Sequence, residues 1–561
     1  MKWRYRLSLF VFLGLFFLII TRLFYWQVVK AEELSAMGAS QYGKQIVISP
    51  ERGEIRTSDG FPIASNKISY LLYANPKEIS EVDKEKISII LSEKLSLDPA
   101  SVSAQLRQDL FWVPIEKNID VSVKDELEKL TLTGVGFEEQ YVRFYPEASM
   151  AAQLIGFVGK NDTGEDKGYF GIEGYYDRQL RGKGGVAIQI DDAVGRPILA
   201  KMNNDSGRIN GRNLTLTVDR AIQFLVERKL KKGIENFGAV SGMVIIMDPK
   251  TGSILSMASF PSFDPRSYRD YDVNTYKNPL ITNLYEPGST FKALIMAAGI
   301  DSKVVKPDTK CPICASPLSI GGYEVRTWNN QYKKDIDMTE VIIHSDNTGM
   351  VYVSQQLGID RMLDYLKKFG IGDLTGVDLQ GEVSVGLRPS KNWYPIDVAT
   401  LSFGQGISVT PIELLSAFSS LANGGKRMEP HIVKEIQTPE GQIITIPPKL
   451  VGQPVSEATA KVMTEILVNA VDKGEAQFAK IKGYRVAGKT GTAQIPIAGH
   501  YDPTKTIASF IGFAPAQDPK FAMLVVIDRP TSSIYGAETA APVFFDIARD
   551  LFAHYGIAPS Q

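Results

Sequence analysis

At 561 residues, with 44% hydrophobic and 22% charged content, the chain is too long for one ordinary domain and has the composition of a folded, core-forming protein. Its net charge of −1 provides no global field to gather nucleic acid or anionic lipid, so both are excluded as principal partners on electrostatic grounds. Two or three globular units are expected from the length.

The first element is a membrane-spanning helix. Lys2, Arg4 and Arg6 precede an apolar run from Leu7 to Ile20, broken only by Ser8 and Gly14, and apolar character resumes from Leu23 to Val29. Read as one helix, Leu7 to Val29 is long enough to cross a hydrocarbon core of about 30 Å. Arg22 falls where it can snorkel, with Tyr25 and Trp26 at the interface. The basic flank predicts a cytoplasmic N-terminus and an extracytoplasmic remainder. A cleaved signal peptide is the competing reading. The small-residue site at Ala36-Met37-Gly38 lies too far beyond the apolar run, with Arg22, Trp26 and Lys30 between.

From about Ala31 to Asn213 short strand-like runs alternate with charged helical segments, of which Ser80 to Leu97 and Val121 to Leu132 are amphipathic. Asn161-Asp-Thr-Gly and Gly182-Lys-Gly-Gly185 mark turns or loops. No catalytic constellation stands out here, and a spacer or interaction module is expected. After Leu214 the texture changes. Asp219 to Asn236 reads as a helix with Asp219 as N-cap. Val240 to Met247 and Ser253 to Ser259 read as a hairpin across Asp248-Pro-Lys-Thr-Gly252. Helices are expected at Phe291 to Ala298, Val351 to Phe369 and Pro411 to Ala422, and strands at Tyr484 to Ala487, Ile507 to Phe513 and Phe521 to Ile527. Helices enclosed between opening and closing strands predict an α+β fold, with an antiparallel sheet whose edges come from both ends of the domain.

Cys311 and Cys314, the only two cysteines, stand in Cys-Pro-Ile-Cys. A zinc site would need further ligands, and none of the four histidines is near in sequence. No thioredoxin-like βαβ pattern surrounds the pair. In an oxidising compartment this is a local disulfide or a pair of idle loop thiols.

Three short segments carry the chemistry. In Pro287-Gly-Ser-Thr-Phe-Lys292, a turn delivers Ser289 to the start of a buried apolar helix, where free N–H groups favour an oxygen nucleophile and a neighbouring oxyanion. Lys292 lies one turn on, on the same face, and desolvation there lowers a lysine's pKa until it can act as a base. Ser345-Asp346-Asn347 follows just before another helix, and offers a second hydroxyl and an amide. By itself it is an ordinary helix cap. Lys489-Thr490-Gly491-Thr492 follows a strand-like lead-in; glycine admits a close ligand backbone, and the lysine and hydroxyls can bind a carboxylate. Lys250-Thr251-Gly252 repeats the triplet, but sits in the Asp-Pro turn, where a lysine is solvated.

Each segment alone is a weak signal, and the ordered set is a strong one. With them, the chain resembles a class B penicillin-binding protein, a monofunctional peptidoglycan D,D-transpeptidase. The resemblance extends to Arg52-Gly53-Glu54-Ile55, Gly60-Phe-Pro-Ile-Ala64, Arg143 to Gly159, Gly171-Ile-Glu173-Gly174, Gly404-Gln405-Gly406 and Thr410-Pro411. It implies a cytoplasmic tail at 1–6, a transmembrane helix at 7–29, a non-catalytic pedestal at 30–213 and a penicillin-binding transpeptidase domain at 214–561. It implies Ser289 as nucleophile, Lys292 as its base, Ser345 and Asn347 as proton relay and substrate contacts, and Lys489, Thr490, Gly491 and Thr492 as the carboxylate site. The backbone N–H groups of Ser289 and Thr492 would form the oxyanion hole. No metal, cofactor or nucleic acid is implied. The implied partners are stem peptides on lipid-linked glycan strands, β-lactams, division proteins, and a polytopic glycan polymerase of the shape, elongation, division and sporulation (SEDS) family.

Thr57-Ser58-Asp59-Gly60 departs from the family's usual Asp-Arg-x-Gly. Ser402 to Pro411 and Ile343 to Gly349 resemble the septal branch more than the elongation branch. A class A β-lactamase would share the three segments and add a glutamate-bearing loop for deacylation; Glu382, in Gln380-Gly-Glu-Val383, lacks those surroundings. No acid-rich glycosyltransferase pattern precedes Leu214. A non-enzymatic β-lactam receptor would be expected to carry degenerate motifs, and all three here are intact.

Overall fold

The computed structural model describes residues 2–34, 37, 43–191, 197–201, 207–497 and 500–559. The N-terminus is a helix over Lys2–Phe24 that continues as a wider π-helical turn over Tyr25–Val29. It begins five residues before the expected Leu7, because the basic residues ahead of the apolar run are good helix formers. Taken together, Lys2–Val29 is long and apolar enough to cross a membrane, and none of its most apolar window is buried against protein. The Arg22 guanidinium lies 5.2 Å from the Trp26 ring centre, one turn on.

The chain forms two compact units, described separately. One comprises Met1–Arg52, Asn66–Val142 and Gly182–Gly211; the other comprises Gly53–Ser65, Arg143–Arg181 and Arg212–Gln561. The first has a small core of Leu72, Ile87, Leu91, Val102, Leu106, Ile115 and Leu127. Its helix Glu81–Leu95 is capped by Ser80, whose hydroxyl accepts from Asp83 N, and Pro99–Leu106 is capped by Asp98. The segment expected to be helical to Leu132 stops at Glu128, and Thr131 takes a left-handed conformation at φ 47°.

The second unit is built on a five-stranded antiparallel sheet. Its strands are β1 (Ser241–Met247), β2 (Ile254–Phe260), β3 (Ala487–Ile497), β4 (His500–Ala514) and β5 (Phe521–Asp528), in spatial order β2-β1-β5-β4-β3. One edge comes from the hairpin ahead of Ser289 and the other from the closing group of strands, as the order of strands and helices predicts. The apolar runs are continuous because both faces are covered. Val244 and Ile246 point into a cluster with α1 (Arg220–Phe237), while Ile245 and Met247 point into a larger cluster on the opposite face. That larger cluster contains residues of α2 (Lys292–Asp301), α3 (Asn347–Leu357), α4 (Pro411–Ala422) and α5 (Glu457–Lys473). The last helix, α6 (Ala540–His554), joins the α1 side through Phe544, Phe545 and Phe552.

Local chemistry sets these boundaries. Asp219 Oδ1 accepts from Ile222 N at 2.9 Å and starts α1 where expected. All twelve residues of α4 are buried, and Thr410 and Glu413 close its first turn as a capping box. The run Val351 to Phe369 is two helices rather than one: Gly358 at φ 72° ends α3, and Ile359–Lys368 starts afresh. Tyr484 lies between a turn and β3, not in a strand, and its ring stacks on Phe552 at 4.2 Å. Its apolar character serves that stack. Cys311 and Cys314 form a disulfide.

Segments Gly53–Ser65 and Arg143–Arg181 fold with the unit that carries the three motifs, since Ile55, Ile63, Leu154, Ile172 and Leu180 belong to its large core. Arg143 joins them. Its Nε donates to Glu173 Oε1 at 2.6 Å and its Nη1 donates to Gly53 O at 2.8 Å, with side-chain exposures of 5% for Arg143 and 0% for Glu173. Removing one partner of such a pair strands a buried charge. Glu173→Ala should therefore lower stability by about 3–5 kcal/mol, measured as a lower urea midpoint at unchanged m-value.

Candidate active site

The turn that presents Ser289 is defined by close backbone approaches. Gly288 adopts φ 57°, and its N–H donates to Gly404 O at 3.0 Å. A Cβ on Gly404, itself at φ 79°, would lie 2.2 Å from Gly288 O, so only glycine fits. Gly288–Phe291 forms a 3₁₀ turn that runs into α2, and Ser289 stands on it, half-buried. The helix proper thus begins one residue later than Phe291, with Lys292 in its first turn. Gly491 of β3 packs against this turn: a Cβ there would come within 2.8 Å of the Thr290 methyl. This is why a glycine follows Lys489-Thr490.

Lys292 is wholly buried. Its Nζ donates to Ser345 O at 2.6 Å, Ser345 Oγ at 3.2 Å and Asn347 Oδ1 at 2.8 Å. Three acceptors match the three protons of an ammonium. Loss of one proton leaves two donors and a lone pair, the form that can accept a proton from a hydroxyl. Burial, with the Lys489 charge nearby, pushes its pKa down to about 7, while Asp346 and Glu475 oppose the fall.

The second motif is held from both sides. Asp346 caps α3, accepting from Gly349 N at 2.9 Å and Thr348 Oγ1 at 2.6 Å. Ser345 is forced into the left-handed region at φ 54°, which aims both its carbonyl and its hydroxyl at Lys292. The Asn347 amide donates to Arg326 O at 2.8 Å, fixing its oxygen toward the same lysine. The carbonyl of His344, just before, accepts from Trp328 Nε1 at 3.2 Å.

The third motif lies on β3, which among the described residues is an edge strand paired with β4 alone, with Lys489 opposite Ile511 and Thr492 opposite Ala508. An edge strand presents backbone groups that the sheet does not use. Lys489 is buried and its pKa is lowered by desolvation, an effect that Glu475 opposes. Its Nζ donates to Thr490 O at 3.2 Å and Thr490 Oγ1 at 3.0 Å. Thr492 Oγ1 accepts from Gly536 N at 3.0 Å. The triplet Lys250-Thr251-Gly252 stays outside the site: Lys250 is on an exposed turn and pairs with Asp518.

The structure thus draws Lys292, Ser345 and Asn347 into one hydrogen-bonded cluster and sets Ser289 and Gly491 in adjoining backbone. Sequence reasoning missed Glu475, on which Thr490 Oγ1 donates at 2.9 Å, and Glu286, which accepts from Gly406 N at 3.0 Å and from Tyr501 Oη at 3.1 Å. Glu286 immediately precedes Pro287, so its place in the chain was a usable signal. Glu475 follows a helix end and obeys no spacing rule with the motifs.

Known proteins resemble the chain over most of its length. Residues 242–549 match the family model described as penicillin binding protein transpeptidase domain, and residues 47–216 match the penicillin-binding protein dimerisation domain. The chain is 33% identical to stage V sporulation protein D of Bacillus subtilis over 554 residues, covering 97% of this chain and 85% of that protein. It is 29% identical to peptidoglycan D,D-transpeptidase FtsI of Escherichia coli over 569 residues, covering 100% and 93%. The crystal structure of penicillin binding protein 2X from Streptococcus thermophilus superposes with a TM-score of 0.76 at 25% identity, covering 92% of this chain and 80% of that one.

The displaced lysine has a thermodynamic signature. Between the folded value of about 7 and the ordinary 10.5, Lys292 is protonated in the unfolded chain and deprotonated in the folded one. The unfolded state then binds more protons, so this group makes stability rise with pH across that window. Wild type should gain up to about 1.4 kcal/mol per pH unit relative to Lys292→Met between pH 7.5 and 9.5, as urea titrations would measure.

Proposed function

The chain belongs to the penicillin-binding protein transpeptidase family and is a serine-type peptidoglycan D,D-transpeptidase, and from that premise we propose that Ser289 is its acylated nucleophile and Lys292 the base. One observation carries the assignment: Lys292, three residues after Ser289, is buried and held by Ser345 and Asn347, with its pKa near neutrality.

In the proposed reaction, neutral Lys292 takes the Ser289 proton as Oγ attacks the penultimate carbonyl of a D-alanyl-D-alanine stem. The oxyanion is received by the backbone N–H groups of Ser289 and Thr492. The tetrahedral adduct collapses, the C–N bond breaks, and the terminal D-alanine nitrogen leaves with a proton passed from Lys292 through Ser345. The acyl-serine ester then meets an amine from a neighbouring stem. That amine attacks, gives up a proton by the same route, and Ser289 is restored as the cross-link forms. Lys489 and its motif bind the terminal carboxylate, and a β-lactam enters as a mimic of the same donor.

We assign residues 214–561 to transpeptidation and residues 30–213, of which 53–65 and 143–181 pack into the catalytic unit, to a non-catalytic pedestal that meets division proteins and a SEDS-family polymerase. Lys2–Val29 is the anchor, with the N-terminus cytoplasmic and the catalytic residues outside; the basic residues before the apolar run support that orientation. A septal role is favoured by the segments at 343–349 and 402–411. A sporulation role is a second reading, supported by the 33% identity to the Bacillus subtilis protein.

Intact mass of the detergent-solubilised chain, with and without benzylpenicillin, tests the nucleophile. Wild type should gain one stable adduct, and Ser289→Ala none. Lys292→Met should acylate at least about a hundredfold more slowly. The wild-type rate should climb through pH about 7 as Lys292 loses its proton.

A further inference from the structure

A carboxylate outside the three motifs is built into the site. Helix α5 ends against Gly474, where a Cβ would come within 2.2 Å of Ala470 O and 2.8 Å of Ile343 O. That close turn, possible only for glycine, delivers Glu475 to β3. There Glu475 Oε2 accepts the Thr490 hydroxyl at 2.9 Å, and Thr490 Oγ1 accepts in turn from Lys489 Nζ at 3.0 Å. The direction of this chain is forced. An ammonium has no lone pair to offer and a carboxylate has no proton, so the hydroxyl between them must donate to one and accept from the other.

A consequence follows for substrate. The single proton of Thr490 is committed to Glu475, whereas Thr492 Oγ1 is an acceptor, from Gly536 N, and keeps its own proton to give. Two neighbouring threonines that look equivalent in sequence are therefore oppositely poised. We propose that Glu475 is a positioning residue of the transpeptidase site, locking the Thr490 hydroxyl onto Lys489 and sharing its negative charge between Lys489 and Lys292, so that the terminal carboxylate of the donor is received by the Lys489 ammonium and the Thr492 hydroxyl. This rests on the reading of Ser289 and Lys292 given above.

The charges around Glu475 come from several elements. Lys292 lies on α2, Lys489 on β3, and Asp346 and His344 on the turn before α3, with Lys333 Nζ 2.8 Å from His344 Nε2. Glu475 acts to raise the pKa of Lys292, Lys489 and His344 alike. Removing its charge lets both lysines lose their protons at lower pH. Lys292 then becomes available as a base in more acid solution, and Lys489 ceases to hold a carboxylate in less alkaline solution. Both limbs of the rate profile move the same way.

The experiment is the acylation rate of the full-length, detergent-solubilised chain by benzylpenicillin from pH 5 to pH 10, for wild type, Glu475→Gln and Glu475→Ala. Glu475→Gln keeps an acceptor oxygen for Thr490 and loses only the charge. Both limbs should shift to lower pH by about half a unit or more, roughly threefold in rate on the alkaline side. Glu475→Ala should show the same shift and need several-fold more benzylpenicillin to saturate, because Thr490 is also released. Profiles that superimpose on wild type, or fall equally at every pH, would overturn the inference and leave Glu475 a packing residue. Wild type that forms no adduct at all would overturn the assignment of Ser289, and this inference with it.

Discussion

The burial of the Lys292 ammonium is the constraint on which the rest of this unit depends. Taking a cation out of water costs several kcal/mol unless its hydrogen-bonding capacity is matched. Here it is matched by three oxygens from two residues of one short segment, at 2.6 to 3.2 Å. What remains of the desolvation penalty is expressed as a pKa near neutrality. A solvent-exposed lysine would be permanently charged and useless as a base; an unsatisfied one would destabilise the fold. The site needs a pocket that is dry and polar together, and both properties are properties of the scaffold.

Dryness comes from the layers. The helix carrying Lys292 is buried along eight of its ten residues, and α4, buried along its whole length, belongs to the same core. The sheet is covered on both faces, so its strands cannot slide without exposing one apolar set or the other. Polarity is then introduced only at element ends: the 3₁₀ turn before α2, the cap of α3, and the edge strand β3. Strain is admitted at the same places. Ser345 holds a left-handed conformation that costs on the order of 1 kcal/mol or more, sustained because Asp346 caps the helix beyond it and Lys292 grips its carbonyl.

How much of this the amino-acid sequence discloses depends on the range of the interaction. Asp219 as a helix cap, the two-strand opening at Val240 to Ser259 and the buried helix at Pro411 to Ala422 were legible because caps, turns and apolar runs are local signals. The motif residues were legible because their order is itself a pattern. The break at Gly358 was not, since an isolated glycine inside an apolar run also fits an unbroken helix. Nor was the union of Gly53, Arg143 and Glu173, which depends on residues 90 and 30 positions apart finding one another. Glu475 was hidden for the same reason: its meaning lies in the hydroxyl it meets, and nothing in Gly474-Glu475-Ala476 points there.

A transferase of this kind must also protect what it makes, because an acyl-serine ester exposed to an activated water is lost. A hydrolase solves the opposite problem with a carboxylate that is free to deprotonate water. Glu382, the acidic residue whose position between the second and third motifs invited that comparison, is otherwise engaged. Its Oε1 accepts from Thr375 N at 2.7 Å and from Thr375 Oγ1 at 2.5 Å, and its Oε2 accepts from Gly376 N at 3.2 Å. Three donors tie it into a loop closure, which holds a carboxylate in its role of acceptor. Glu475, a carboxylate that does reach the motifs, is bound to Thr490 and opposes the fall in pKa of two lysines. Both of these carboxylates are thus committed to fixed donors, an arrangement suited to an ester that waits for an amine.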